Sequence, residues 1–312
     1  MSTNIYKAPV KGFLVTNSYL VNSKFSVIHQ WFLESAKKLS IDLKGFTNSQ
    51  IPIYLPGRRE AAPEEISRRK DSRTGEADFV LFWDKDIRLA RFLEDMGYRL
   101  YNSSQAIALS DDKSLTHLAL SKAGIPMPET YVAPMTFDNI GYTNLDFLDE
   151  VEEVIGYPCV VKECFGSFGQ QVYLARSREE LTAITLSIGS KPMLFQEFIE
   201  SSTGRDVRLQ VVGDEVIASM YRYSDNGDFR ANITAGGKMK PYEPAKEQID
   251  LALLCCRTLG LDFAGVDILF GRDGEPLVCE VNSNAHFKNI YDCTGVNAAD
   301  AILEHVLRQV KH

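Results

Sequence analysis

The stretch GVDILFGRDGEPLVCEVNSN, residues 265–284, constrains this chain more than any other. Two apolar runs flank Asp273-Gly274, a dipeptide that favours the tight turn of a β-hairpin. Loops of two, four or six residues centred there all give one register, with Asp267 opposite Glu280. Side chains alternate faces with a period of two, so Asp267, Leu269, Val278, Glu280 and Asn282 are expected on one face of the ladder. Like charges set directly opposite each other repel, and carboxylates inside apolar strands need a neutralising partner. Two carboxylates and an amide, without Cys or His, form the oxygen set of a hard divalent cation. Few protein oxygens with room left for phosphate suit Mg²⁺ better than Ca²⁺. A solvated strand face is the alternative for any one of these residues; the convergence of three points to a metal site.

At 312 residues the chain exceeds one ordinary domain and has length for two or three packed units. Hydrophobic residues at 45% and charged residues at 24% are globular proportions. A net charge of −8 argues against non-specific nucleic-acid binding, which needs a basic face, so anionic ligands must be met by local Lys and Arg. No run approaches the length of a membrane span, and the first residues lack a signal-peptide pattern, so a soluble cytoplasmic protein is expected. The six cysteines show no CxxC spacing and sit mostly in apolar runs, which favours reduced, buried thiols over disulfides or zinc.

The first hundred residues alternate strand and helix signals: a strand over 12–16, a helix over 25–39, a strand over 78–83, a helix over 87–96 and a strand over 98–101. That pattern predicts an α/β layer with parallel strands. Ligands gather beyond the carboxyl ends of such strands, which makes Asp84 and Lys85 substrate-contact candidates, with an exposed loop pair as the plainer alternative. The charged segment 58–76 reads as an exposed excursion. A helix is expected from Asp111 to Gly124, a loop from 136 leading into a helix near 153, and a strand-loop-strand unit over 157–174. A strand over 193–199, a hairpin across Gly213-Asp214, a helix over 244–259 and a last helix capped by Asn297 complete the order.

Lys162 lies inside an apolar strand, where a cation is costly unless an anion meets it. It precedes Gly166-Ser167-Phe168-Gly169, a loop whose glycines allow backbone N–H groups to close on phosphate oxygens. This is no Walker loop, for Gly-Lys-Ser/Thr is absent and a strand follows; its logic is closer to the glycine-rich flap of protein kinases. Alone the loop reads as an ordinary hairpin turn. With Lys113, Lys162 and the Asp267/Glu280/Asn282 face it supplies what a nucleoside triphosphate with Mg²⁺ requires.

The ordered series DDKSLT, VVKECFGSFG, FQEFIE, GRDVR, FRAN, GVDILF and CEVNSN resembles the ATP-grasp superfamily, and most closely its RimK-like carboxylate-amine ligases. The resemblance covers the chain from Asn102 onward. It implies an α/β (α+β) ATP-grasp fold: a Rossmann-like pre-ATP-grasp domain over 1–103, a central subdomain with the glycine-rich flap over 104–195, and a C-terminal antiparallel-sheet subdomain with the metal site over 196–312. By resemblance, Lys113 and Lys162 hold ATP phosphates, Gly166, Ser167, Phe168 and Gly169 form the flap, and Gln196, Glu197, Phe198 and Ile199 offer backbone to adenine. Glu200 is placed for the ribose. Asp267, Glu280 and Asn282 correspond to Mg²⁺ ligands, with two ions expected, Glu280 bridging them, and Mn²⁺ as a substitute. Arg208 and Arg222, with Lys162, resemble the groups that steady the transferred phosphoryl group. Arg230 and Asn232 fall where such enzymes contact phosphate or substrate. Related ligases often continue with a Ser-Pro-Gly loop where this sequence has Ser283-Asn284-Ala285-His286-Phe287-Lys288, so Asn284 and His286 are the substrate candidates that set this chain apart.

The activity implied is ATP-dependent amide formation through an acyl phosphate, releasing ADP and phosphate and adding an amino acid to the carboxylate of a small peptide, amino acid or cofactor. Catalysis would rest on positioning and electrostatics, which explains why no nucleophile or triad stands out. His286 is a candidate proton acceptor, with a packed loop histidine as the alternative. An ATP-grasp kinase acting on a hydroxyl and a non-catalytic ATP-binding module are the competing readings. The expected partners are small-molecule carboxylate and amine substrates, with no nucleic acid and no membrane, and homo-oligomerisation left open.

Overall fold

The structure, a computed structural model, describes residues 9–55, 76–166, 169–233 and 236–311. Most of the charged segment 58–76 lies outside these residues, as do Ser167 and Phe168. Three sheets carry the chain.

The first sheet is parallel, in the order β2-β1-β3-β4, from β1 (Lys11–Thr16), β2 (Asp42–Thr47), β3 (Phe79–Trp83) and β4 (Leu100–Tyr101). Helices α1 (Ser23–Lys38) and α2 (Ile87–Asp95) connect the strands. Strand β2 is absent from the sequence expectation because its residues DLKGFT are largely exposed on an edge and carry little apolar alternation. Every residue of β3 is buried, so the chain reaches Asp84 at the end of a rigid central strand.

Helix signals near 111 resolve into two helices, α3 (Ser104–Asp111) and α4 (Lys113–Lys122), broken at Asp112. Extended backbone at Asp112 ends α3, and its side chain accepts the N–H groups of Ser114 and Leu115 to cap α4. The expected start at Asp111 is therefore late, since Ser103 already caps a helix through the N–H of Ala106.

The second sheet has the order β5-β8-β6-β7, from β5 (Thr130–Val132), β6 (Cys159–Glu163), β7 (Val172–Ala175) and β8 (Met193–Glu197), and is antiparallel throughout. Helices α5 (Phe147–Val154) and α6 (Arg178–Ile188) cover it through Leu148, Val151 and Leu181. The three-residue β5 is too short to carry a sequence period.

The third sheet, order β11-β10-β9-β12-β13, is also antiparallel: β9 (Arg205–Val212), β10 (Glu215–Tyr223), β11 (Lys238–Pro241), β12 (Phe263–Phe270) and β13 (Pro276–Asn282). Its two faces differ sharply. Val207, Leu209, Val211, Ala264, Val266 and Ile268 pack under α7 (Lys246–Leu259) with Ala106 and Leu120 of α3 and α4. Alternation then sends Asp206, Arg208, Gln210 and Asp267 to the opposite face. At its far end that face joins the first sheet, where Phe263, Trp83, Phe287 and Leu14 share a core with α8 (Lys288–Thr294) and α9 (Ala298–Val310).

The hairpin register holds at the site and shifts by one at the turn. Gly265 pairs with Asn282 and Asp267 with Glu280, but Ile268 pairs with Val278, so Cys279 is an extra residue in β13. Val278 therefore leaves the face expected for it and joins Ile268 in the core. A Gly271–Glu275 turn closes the hairpin.

Candidate active site

A cleft of about 900 Å³ opens between the second and third sheets. A row of directly paired residues, Met220, Arg208, Asp267 and Glu280, runs across four strands, and its Asp267 and Glu280 line the cleft. Arg208 grips Asp267 through two bonds, Nε to Oδ1 at 2.6 Å and Nη2 to Oδ2 at 2.7 Å. Arg222 does the same to Asp206 at 2.6 and 2.7 Å and reaches Asp267 Oδ2 at 2.9 Å. These four side chains form a buried quartet of two carboxylates and two guanidiniums. Burial alone would raise the Asp267 pKa; the two arginines outweigh it and hold this carboxyl below its ordinary value.

The charge problem posed by Asp267 facing Glu280 is thus solved first by cations of the protein. Glu280 lies 3.4 Å from the Lys113 ammonium. Burial opposes its ionisation, yet Lys113, followed by Lys162 and Arg208, keeps its carboxyl below the usual range. Its side chain remains 30% exposed. The donor set still fits a hard divalent ion. Among the described residues Glu280 has no contact shorter than that long one, and Asp267 Oδ1 accepts a single bond, so both carboxylates keep lone pairs for an ion. Among the described residues no three His, Cys, Asp or Glu side chains are arranged to hold a metal ion by themselves, so an ion held here would keep positions for ligand oxygens.

Lys162, 6% exposed on β6, is held by a chain of bonds whose direction is fixed. Its ammonium donates to Gln196 Oε1 at 2.6 Å. The Gln196 amide nitrogen donates to Thr130 Oγ1 at 2.9 Å and lies 3.0 Å from His117 Nε2. Thr130 gives its own proton to the Pro128 carbonyl, and His117 Nδ1 sits 2.7 Å from the Lys113 carbonyl. A carbonyl can only accept, so Nδ1 carries the hydrogen and Nε2 accepts from Gln196. His117 is neutral: burial, then the Lys162 charge, pushes its pKa down to about 4. The sequence suggested only the backbone of Gln196 as functional; its side chain is 2% exposed and binds Lys162. The roles of His117 and Thr130 escaped the sequence entirely, since they act through residues distant in the chain.

The glycine-rich loop is tied at both ends. Lys113 donates to the Gly166 carbonyl at 3.3 Å, and Arg230 Nη1 donates to the Gly169 carbonyl at 2.8 Å. Gly169 has φ +70°, and a Cβ there would lie 1.8 Å from the Asn232 amide, so only glycine fits. Arg230 and Asn232, expected against phosphate or substrate, stand at this loop end and line the cleft. Glu197, Phe198 and Ile199 line the far wall with Phe229, whose ring meets Phe198 edge-on at 6.2 Å. Glu200 is exposed in a single 3-10 turn and is not among the lining residues; Ser202 and Arg205, further along, are. Cys279, unpredicted, faces the cleft because of the bulge, with Sγ 3.7 Å from the Lys162 ammonium.

A second cavity, about 1570 Å³, continues from the first past Gly169, Arg222, Asn232 and Glu280. Arg208, Asn282, Asn284 and His286 line it, together with Asn17, Lys24, Asp84 and Lys85 from the first sheet's connections. Asn284 and His286, named from the sequence, therefore stand apart from the first cleft and beside the Asp84 strand end.

A sequence profile described as a RimK-like ATP-grasp domain matches residues 110–306. Beta-citrylglutamate synthase B of Danio rerio is 37% identical over 225 residues, covering 72% of this chain and 54% of that protein. The chain thus spans about half the length of that relative. The probable alpha-L-glutamate ligase of Legionella pneumophila is 36% identical over 225 residues, covering 71% of this chain and 71% of that one. Among solved structures, the D-alanine--D-alanine ligase of Bacillus anthracis complexed with ATP superposes with a TM-score of 0.69 at 16% identity, over 98% of this chain and 99% of that chain, a likeness of fold alone.

Proposed function

Since the chain belongs to the RimK-like ATP-grasp family, we propose that it joins a carboxylate to an amine through an acyl phosphate at the cleft between its second and third sheets. In this reading a carboxylate oxygen attacks the γ-phosphorus of ATP and ADP leaves. The amine nitrogen then attacks the acyl carbon, loses its proton, and phosphate leaves. The observation that carries the reading is the joint geometry: two lysines and Glu280 converge at one end of a cleft that opens, past Arg222 and Glu280, into a second cavity large enough for further substrates.

Lys113 and Lys162 present ammonium groups to the phosphates, and Lys162 is pre-aimed by Gln196, so little rearrangement is needed on binding. The backbone of Glu197 to Ile199 borders the space for adenine, with Phe198 and Phe229 as its apolar wall. Arg208 and Arg222 are immobilised by Asp267 and Asp206, which fixes guanidinium N–H groups where negative charge develops in both steps. Glu280, Asn282 and the remaining lone pair of Asp267 would hold Mg²⁺. When bound, the metal supplies neutralisation of phosphate oxygens. Closure of the flap over the cleft would exclude water that competes for the acyl phosphate.

Names of relatives that contain glutamate support glutamate or another amino acid as the amine joined to a small carboxylate. The units 1–103, 104–195 and 196–312 are read as substrate platform, nucleotide lid and metal floor. All six cysteines are free, and no helix among the described residues is long and apolar enough to cross a membrane, which supports placement in the reducing cytoplasm. The test is a nucleotide assay against pairs of carboxylates and amines with mass spectrometry of the product. ADP and phosphate should appear in step with an amide; AMP and pyrophosphate, or a stable phosphorylated product, would overturn the reading.

A further inference from the structure

The second cavity collects hydrogen-bond acceptors that lack a charged donor or any donor at all. Asp84, 7% exposed at the end of β3, receives only neutral donors among the described residues: Asn17 Nδ2 at 3.2 and 3.3 Å, the Lys85 N–H at 2.7 Å and the backbone N–H of Asp86. The Lys85 ammonium is turned away to Asp111, and no cation among the described residues pairs with Asp84. An asparagine would accept the Lys85 N–H equally well without burying a charge, so a purely structural role does not account for a carboxylate.

Two neighbours repeat the pattern. Asn284 Nδ2 donates to the Asp84 carbonyl at 2.6 Å, which fixes the amide so that Oδ1 is the free acceptor, and that oxygen is buried without a partner. His286 Nε2 lies 2.7 Å from the Lys24 carbonyl and must carry the hydrogen, leaving Nδ1 as a buried acceptor without a donor. The Asn282 amide is fixed by no partner and counts for neither side. The loop is seated by close packing, since a Cβ at Gly265 would lie 2.5 Å from that of Ala285. Lys24, Arg208 and Arg222 line the same cavity.

We propose that Asp84, Asn284 and His286 form a subsite for a primary ammonium group, and that a substrate entering this cavity is a zwitterion whose carboxylate faces Lys24 and Arg208. A primary ammonium offers three N–H donors and one positive charge, which matches three acceptors and one uncompensated carboxylate. The inference rests on the ligase reading and adds which residues of this chain hold the substrate's amino group and its carboxylate. The ammonium belongs either to the amine substrate, bound before it loses its proton, or to an amino group on the carboxylate substrate.

The test has a binding arm and a kinetic arm. Amino acids and dipeptides, each paired with its deamino counterpart such as L-glutamate with glutarate, are titrated calorimetrically with Mg·ADP present. The best-bound ammonium-bearing member should bind about 10- to 100-fold more tightly than its counterpart, the range for one charge-assisted hydrogen bond. Asp84→Asn should erase that ratio. His286→Phe, which keeps the edge-on contact with Phe25 at 5.5 Å, should reduce it and guards against a folding defect at Asp84. If no member outbinds its deamino partner, or if both variants keep the wild-type ratio, the subsite is overturned. In the kinetic arm hydroxylamine replaces the amine and traps the acyl phosphate as a hydroxamate. A defect of Asp84→Asn confined to amide formation assigns the ammonium to the amine substrate, and one shared by hydroxamate formation assigns it to the carboxylate substrate. A defect in neither overturns the subsite. Absence of hydroxamate and ADP with every pair overturns the ligase reading instead, and the binding arm still decides the subsite.

Discussion

Asp206→Asn is the sharpest probe of the cleft floor. The substitution keeps the shape and one acceptor for Arg222 Nε but removes the charge and the second bond, now 2.7 Å from Nη2. Arg222 is 4% exposed and cannot turn to water, and Asp267 is already shared with Arg208. Removing one partner of a buried pair costs about 3–5 kcal/mol. The acceptor that Asn retains and the Arg222–Asp267 bond place this case near the lower end, roughly 3 kcal/mol. At about 2.1 cal/mol/K of unfolding entropy per residue, a chain of this length melting as one unit should lose about 5 °C in Tm. The assay is urea unfolding at neutral pH on a double-mutant cycle with Asp206→Leu and Arg222→Leu. The double variant should recover at least half of the larger single loss, because paired hydrophobes replace a paired charge at little net cost. Strictly additive losses, or an Asp206→Asn variant within about 0.5 kcal/mol of wild type, would refute the account of the quartet as one buried unit.

Glu280→Gln should abolish turnover and its dependence on Mg²⁺ while leaving the melting temperature near wild type, since it gives up only a partly exposed contact to Lys113; normal activity in that variant, read by ADP release, would remove Glu280 from the metal assignment. His117 links pH to stability. Its folded pKa of about 4 lies below the unfolded value near 6.5, so the folded state binds fewer protons and stability falls as pH drops from about 6.5 to about 4, by roughly 3 kcal/mol. His286, also lowered to about 4, titrates over the same window, so His117→Gln should flatten the slope of urea-unfolding free energy against pH without abolishing it. An unchanged slope would remove His117 from the account.

What the sequence made legible and what it hid divide along contact distance. The register that sets Asp267 against Glu280 is a local property of one turn and two short strands, and it holds in the structure. The alternation of β9 and β12 is visible too, because each second residue is apolar. The partner of each charge is not visible. Arg208 meets Asp267 across 59 residues and Lys162 meets Gln196 across 34, distances at which sequence period carries no information. Hence the facing carboxylates are legible in the sequence, while the two arginines and the lysine set against them are not. The Asp84 end of β3 was legible as a place, by the rule for parallel sheets, while its meeting with the 283–287 loop required the docking of the first sheet on the third.

The extra residue at Cys279 has a consequence for how this hairpin tolerates insertion and deletion. On the side of the site, paired residue numbers sum to one value, and on the side of the turn to a value one lower. Removing Cys279 alone would bring both halves into a single unbroken ladder, with Asp267 still opposite Glu280 and Ile268 still opposite Val278. A deletion among the other β13 residues between these two pairs and the ends of the strand would instead slip one half against its partner and turn its side chains over. The bulge is therefore a spare position in an otherwise indel-intolerant strand, retained where it brings a thiol to the Lys162 ammonium and dispensable for the pairing that holds the floor together.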